Sequence, residues 1–219
     1  MSWPNSRYLV APRWLSDHRA DPSVRVVDTR SPALYGLSHI RGAVFVDVRN
    51  LHVAGSGPGA MRAWVGRVVE AFSDAGITDR HQAVFYGEAF GEIAARGVWV
   101  LSYLGHPGAR LLDGGLDAWL AAGYPTTTAM TSVARAAFRA RPRPELVATG
   151  HYVLEHLGDP AVRPLDVRRA TEYAGSEIRA GRGGHIPGAI HCEWLNNLTE
   201  RGTYKGPAAL ASVYADLGL

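Results

Sequence analysis

Two stretches decide the fold: VRVVDTRSPALYGLSHIRGAVFVDV, from Val24 to Val48, and VRPLDVRRATEYAGSEIRAGRGGHIPGAIHCEW, from Val162 to Trp194. They are two copies of one pattern. Asp28 and Arg30 align with Asp166 and Arg168; His39-Ile40 and Gly42-Ala43 align with His185-Ile186 and Gly188-Ala189 once an eight-residue insertion in the second copy is allowed. A period of about 140 residues is far longer than a solenoid unit, so the repeat predicts two domains of one fold. Residues 1–124 form the first, 125–144 a linker, and 145–219 the beginning of the second.

Working outward, each copy opens with a β-branched apolar run that reads as a buried strand ending in Asp, Val24 to Val27 and Val162 to Leu165. A short helical or turn segment follows, then a glycine corner and a second short strand, Ala43 to Val46 and Ala189 to Cys192. The first copy continues with helices over 61–75, 92–104 and 116–122, stopped by Gly76, Gly105 and Gly123, and strands over 83–86 and 110–112. Strands alternating with helices imply an α/β fold with a mainly parallel sheet flanked by helices. Tyr124 to Pro144, with Pro142 and Pro144, reads as the connector. The second copy adds helices over 150–157, capped by Thr149, and 207–217, and the counterparts of the later strands do not follow. Gly55-Ser56-Gly57-Pro58-Gly59 lacks the Lys-Ser/Thr ending of a phosphate loop and reads as a turn.

Composition bounds the function. With 219 residues, 47% hydrophobic and 20% charged, the chain is rich enough in apolar residues to fold. No run reaches the length of a membrane span, and the start MSWPNSRYLV lacks the basic and apolar regions of a secretion signal, so a cytoplasmic protein without a membrane partner is expected. The net charge is +3, and all 23 basic residues but Lys205 are scattered arginines, which gives no stripe to track a nucleic-acid backbone. The single cysteine, Cys192, excludes an internal disulfide and a multi-cysteine zinc site.

Asp28-Thr29-Arg30, His39-Ile40-Arg41-Gly42-Ala43, Tyr103-Leu104-Gly105-His106, Leu112-Asp113-Gly114-Gly115-Leu116, Ala118-Trp119, Asp166-Val167-Arg168, Glu172-Tyr173, Gly184-His185-Ile186-Pro187-Gly188-Ala189-Ile190 and Leu198-Thr199-Glu200 together resemble the tandem-domain rhodaneses, the thiosulfate and 3-mercaptopyruvate sulfurtransferases. The resemblance implies two rhodanese-like domains, no cofactor and a small anionic sulfur donor. It also implies a persulfide-forming cysteine on a strand-to-helix loop of the second domain, where backbone amides at a helix start lower the thiol pKa. Matching that loop onto this sequence places it beyond Leu219, so the second domain is expected to be incomplete and to associate with a complementary carboxy-terminal fragment. In the first domain the equivalent position is Gly87, followed by Glu88 and Glu92. There is no nucleophile there, and two carboxylates disfavour an anionic donor.

The remaining candidates are weighed on their surroundings. Cys192 is the one available thiol, but alternation turns it with Ile190 to one face and His191 to the other, which fits a buried apolar residue better than a thiol activated by His191 or His185. Two histidines and one cysteine do not make a metal site. His39 and His185 read as structural histidines, and each Asp-x-Arg as a charge pair fixing the loop after its strand. Asp166, at the carboxyl end of a strand, is also a substrate-binding candidate, with Arg179 and Arg182 of the insertion. Lys205 reads as a surface cation, and Trp64, Trp99, Trp119 and Trp194 as packing residues.

Overall fold

The computed structural model describes residues 6–219; the start of the chain, read for a secretion signal, lies partly outside them. The chain divides into two units, one of residues 6–147 with 201–203 and one of residues 148–200 with 204–219. In the first, β1 (Leu9–Val10), α1 (Pro12–His18), β2 (Val24–Asp28), α2 (Pro32–Leu37), β3 (His39–Ile40) and β4 (Val44–Phe45) precede α3 (Pro58–Asp74), β5 (Gln82–Tyr86), α4 (Glu92–Tyr103), β6 (Ala109–Leu112), α5 (Gly115–Ala121) and β7 (Thr126–Thr127). Five strands form a parallel sheet in the order β1-β6-β5-β2-β4, while β3 pairs antiparallel with β7 in a small separate ladder.

The two-residue period of the strands sorts the core into two layers. Val27, Ala83 and Phe85 face Trp64, Val68 and Phe72 of α3 and Ile93, Val100 and Leu101 of α4. Val24, Val26, Val84 and Tyr86 face Leu15, Tyr35, Leu116 and Trp119 of α1, α2 and α5. Gly97 lets α4 lie directly on the sheet, since a Cβ there would come within 2.6 Å of the Phe85 ring. Segment 125–144 is irregular apart from β7 and is fastened to the first unit. Phe138 is buried, Ala136 donates its amide to the Ser73 carbonyl, and Arg135 pairs with Glu70 and Asp74 of α3.

The sequence reading differs from the structure at several points. Gly55 to Gly59 is not one turn: Gly57 caps α3 and Pro58-Gly59 form its first turn, where a missing amide costs nothing. Leu9–Val10, α1 and β7 went unread, being short elements without a full period. Trp64 and Trp119 are buried, whereas Trp99 is 38% exposed and stacks on Tyr103, and Trp194 is half-buried in a 3-10 turn.

In the second unit, α6 (Gly150–Glu155) carries the Thr149 side-chain cap on the Tyr152 amide at 3.1 Å. It is followed by β8 (Leu165–Asp166), α7 (Ala170–Ala174), β9 (Ile190–His191) and α8 (Pro207–Ala215). β8 and β9 form a two-stranded parallel ladder. The strand expected over 162–165 starts only at Leu165, because Pro164 has no amide to give a ladder and biases Arg163 before it.

At the amino ends of the strands two histidines clasp one residue. Thr78 donates its amide to His81 Nδ1 at 2.9 Å, and its carbonyl lies 2.9 Å from His106 Nε2, whose Nδ1 accepts from the Gly108 amide at 3.1 Å. Each ring must therefore stay neutral at Nδ1. Burial pushes both pKa values down, and Arg25 and His106 oppose a proton on His81; the Pro22 carbonyl for His81, and the Thr78 carbonyl with Asp79 for His106, act the other way. Folded values below the unfolded one mean that the unfolded chain binds more protons. Stability is then full above the unfolded histidine value of about 6.5 and is lost as pH falls through it. The urea midpoint is expected to fall between about pH 7.5 and pH 5, and His81→Asn, which keeps an acceptor for the Thr78 amide without titrating, should flatten that dependence.

Candidate active site

In the first unit the carboxyl ends of β2 and β5 meet at a buried carboxylate. Asp28 is fully buried and lies opposite Tyr86 in the parallel register. Arg30 donates from Nε at 3.1 Å and from Nη2 at 2.7 Å to the two Asp28 oxygens, a bidentate pair. The Tyr86 hydroxyl donates to Asp28 Oδ2 at 2.6 Å and accepts from the Ile40 amide at 3.1 Å. Arg30 also donates to the Ser38 carbonyl. Burial and the neighbouring carboxylate push the Tyr86 phenol far up, so it stays a donor at any physiological pH.

The strand-to-helix loop begins at Gly87. A Cβ at this position would find ordinary contacts, 3.5 Å from Thr29 Oγ1 and 3.7 Å from Ala94 Cβ. Space for a side chain exists; the nucleophile does not. The loop is instead satisfied internally. Ala89 donates its amide to Asp117 Oδ2 at 2.8 Å, Gly91 to the Glu88 carbonyl at 3.0 Å, and Leu116 to the Gly87 carbonyl at 2.8 Å. That close approach requires Gly115, at φ +59°, because a Cβ there would meet the Gly87 oxygen at 2.5 Å. Asp117 was not singled out in the sequence; an acid two residues past a Gly-Gly turn is the only signal that marks it. Glu88 and Glu92 are exposed at the start of α4, so the carboxylate engaging a loop amide is Asp117.

The second unit repeats the scaffold. Arg168 donates from Nε at 3.0 Å and Nη2 at 2.6 Å to Asp166, and from Nη2 to the Gly184 carbonyl at 2.8 Å. The guanidinium holds the Asp166 carboxyl below the usual carboxylate range. Tyr173 donates to the Ala189 carbonyl at 2.9 Å, as Tyr35 does to Ala43 at 2.8 Å. His185 stacks on Tyr173 at 3.7 Å and its Nδ1 lies 2.8 Å from the Tyr173 carbonyl; His39 repeats both relations with Tyr35. His191 covers the other face of Tyr173 at 4.5 Å, with Nε2 at 2.9 Å from the Arg168 carbonyl.

Cys192 is buried at the position of Val46: its amide donates to the Asp166 carbonyl at 2.9 Å, as Val46 donates to Asp28 at 3.0 Å. The thiol therefore occupies a packing position. Among the insertion residues, Arg182 lines an open cleft of about 610 Å³ with Asp166, Arg168 and His185. Arg179 does not line it; its guanidinium is tied to Glu177 at 2.8 Å and faces Glu172 at 3.6 Å. Lys205 is half-buried and donates its amide to the Asn197 carbonyl. Among the described residues no cluster of His, Cys, Asp and Glu is suited to a metal ion.

Residues 11–122 match the family model of the rhodanese-like domain. Thiosulfate sulfurtransferase of Pseudomonas aeruginosa is 30% identical over 213 residues, covering 96% of this chain and 78% of its own length. The chain belongs to the rhodanese family of sulfurtransferases. A second relative, the sulfur carrier protein TtuD of Thermus thermophilus, is 30% identical, covering 100% of this chain and 81% of its own. Among solved structures, the 3-mercaptopyruvate sulfurtransferase SseA of Escherichia coli superposes with a TM-score of 0.82 at 25% identity, over 97% of this chain and 84% of that one.

Two substitutions separate scaffold from chemistry. Tyr86→Phe removes a hydrogen bond to a buried charge and should cost about 1.5–3 kcal/mol in equilibrium urea unfolding. Cys192→Val restores the residue of the first repeat and should change stability by less than about 1.5 kcal/mol in the same measurement.

Proposed function

We propose that this protein moves sulfane sulfur from thiosulfate or 3-mercaptopyruvate to a thiophilic acceptor through a cysteine persulfide, and that the cysteine lies outside these 219 residues, on the strand-to-helix loop of the second repeat. With thiosulfate, the thiolate attacks the sulfane sulfur, the S–S bond breaks, and sulfite leaves with the electron pair. An acceptor such as cyanide or another thiol then takes the outer sulfur and regenerates the thiolate. The observation that carries the reading is the pair of thiol-free or buried positions: Gly87 where the first repeat presents its loop, and Cys192 on a core position with its own amide committed. Relatives with thiosulfate in their names support the donor class. The partners in this reading are the anionic donor and a complementary carboxy-terminal segment, with no nucleic acid, membrane or cofactor. The setting in this reading is the cytoplasm. No described helix is long and apolar enough to cross a membrane.

Asp166, Arg182 and Arg179 are assigned to the rim that receives the donor. Arg182 has the stronger support, because it lines the cleft beside Asp166 while Arg179 is neutralised by Glu177 and Glu172. A second reading, a non-catalytic rhodanese-like module that acts through a partner, is favoured by the Asp117 carboxylate seated on the loop of the first unit.

Incubation of the 219-residue chain with thiosulfate should add no sulfur to Cys192 by mass spectrometry; a gain of one sulfur atom there overturns the assignment. A polypeptide extended through the second loop should transfer sulfur to cyanide and lose that activity on alkylation, whereas inactivity would favour the binding module. In the active form, Arg182→Gln should raise the KM for thiosulfate about fivefold, the loss of roughly 1 kcal/mol of attraction, with a smaller effect from Arg179→Gln.

A further inference from the structure

We infer that the guanidinium of Arg25, at the amino ends of the strands, binds a small oxyanion, at the edge of the first unit's sheet opposite to the loop of Gly87. The inference goes beyond the proposed sulfur transfer and uses no part of it. Arg25 is the second residue of β2 and lies opposite Ala83 of β5 in the parallel register. The two-residue period turns it to the face of the sheet where Val27, Ala83 and Phe85 meet α3 and α4. Its side chain is partly buried, and Nε is enclosed with no hydrogen-bond partner. A guanidinium carries five N–H donors, yet among the described residues the acceptor Arg25 reaches is the Gly76 carbonyl, 3.4 Å from Nη2.

The other two forks of this chain show what is missing. Arg30 and Arg168 each give Nε and Nη2 to one carboxylate. Arg25 has the enclosed Nε and no carboxylate. Burial pushes its pKa down and no acid acts the other way. The acids on this edge are occupied elsewhere: Asp21 accepts the Ser23 amide, and Asp79 acts on His106. The charge of Arg25 instead falls on His81, whose proton it opposes together with His106, against the Pro22 carbonyl. A water molecule would satisfy the enclosed donor but not the charge. A small oxyanion does both, because two of its oxygens match the planar edge formed by Nε and Nη. Exposed Arg80, next to His81, and exposed Arg141, packed against Gly105, make the approach to this edge positive.

Sulfate is the probe, since it has the tetrahedral shape of thiosulfate and cannot transfer sulfur. It is titrated into the 219-residue chain at constant ionic strength against chloride, with the His81 ring signals followed by NMR and the urea midpoint measured alongside. A saturating shift of the His81 signals is expected, with their titration moved to higher pH, because an anion on Arg25 cancels a charge that opposes the His81 proton. At about tenfold above its dissociation constant, sulfate should raise the urea midpoint by about 0.5 M. Arg25→Gln should abolish both responses and, by removing an uncompensated charge, leave the midpoint without sulfate at or above that of the unaltered chain. Arg25→Lys keeps the charge and loses the fork, so sulfate should bind about tenfold more weakly, the loss of one charged hydrogen bond. If Arg25→Gln does not fold, Arg25→Lys and the comparison of sulfate with chloride decide. The inference is overturned if chloride moves the His81 signals as far as sulfate does, or if either variant keeps the full sulfate response, which would be general exclusion of sulfate from the protein surface. Binding of a hexaglutamate peptide without binding of sulfate would give the site to a protein carboxylate and also overturn it. None of these readouts involves a thiol, so their failure is separate from failure of the transfer chemistry.

Discussion

A carboxylate with no access to water has to be fully paired, and Asp28 meets that demand in a way that organises the first unit. Its two oxygens take the Arg30 fork and the Tyr86 hydroxyl, so the loop after β2 and the carboxyl end of β5 are fixed by one group. Arg30 then reaches the Ser38 carbonyl at the end of α2, and Tyr86 holds the Ile40 amide at the start of the glycine corner. Removing the carboxylate would leave a nearly buried guanidinium without its counter-charge, which is costlier than the loss of any single apolar contact around it.

In the second unit the same carboxylate-guanidinium fork stands in a wetter setting. The Arg168 side chain is 45% exposed where Arg30 is 6% exposed. Exposed pairs contribute little to stability, so this fork shapes the loop rather than holding the unit together. What stiffens the unit instead is the aromatic stack of His185, Tyr173 and His191, in which His191 takes the place that Phe45 has beside Tyr35.

Much of this was legible because the pattern occurs twice. Asp28, Arg30, His39 and Gly42 recur at fixed offsets, and a repeated charged residue after an apolar run marks a loop fixed by its own side chains. The α/β class and the longer helices followed from apolar period and glycine stops. The unread parts depend on contacts distant in sequence. Tyr86 belongs to the Asp28 site only through the parallel register of β2 and β5, and Asp117 reaches Ala89 only because Gly115 lets the α5 turn touch the loop. Trp99 shows the opposite failure: its helical spacing fits the core, yet Trp64 and Tyr103 fill the interior and leave it at the rim.

The proposed transfer uses a thiolate at an open loop whose amides are free to face an anion, and among the described residues neither unit offers both. The loop at Gly87 has room for a side chain, yet its Ala89 amide is given to Asp117, so a thiol added there would still share its surroundings with a carboxylate. Cys192 has the sulfur, yet it fills the core position of Val46 and its amide completes the β8 edge pairing through Asp166. Both copies carry the carboxylate-guanidinium fork, the tyrosine that donates to the alanine carbonyl before the second strand, and the glycine corner, and they differ at the core position held by Val46 in one and Cys192 in the other.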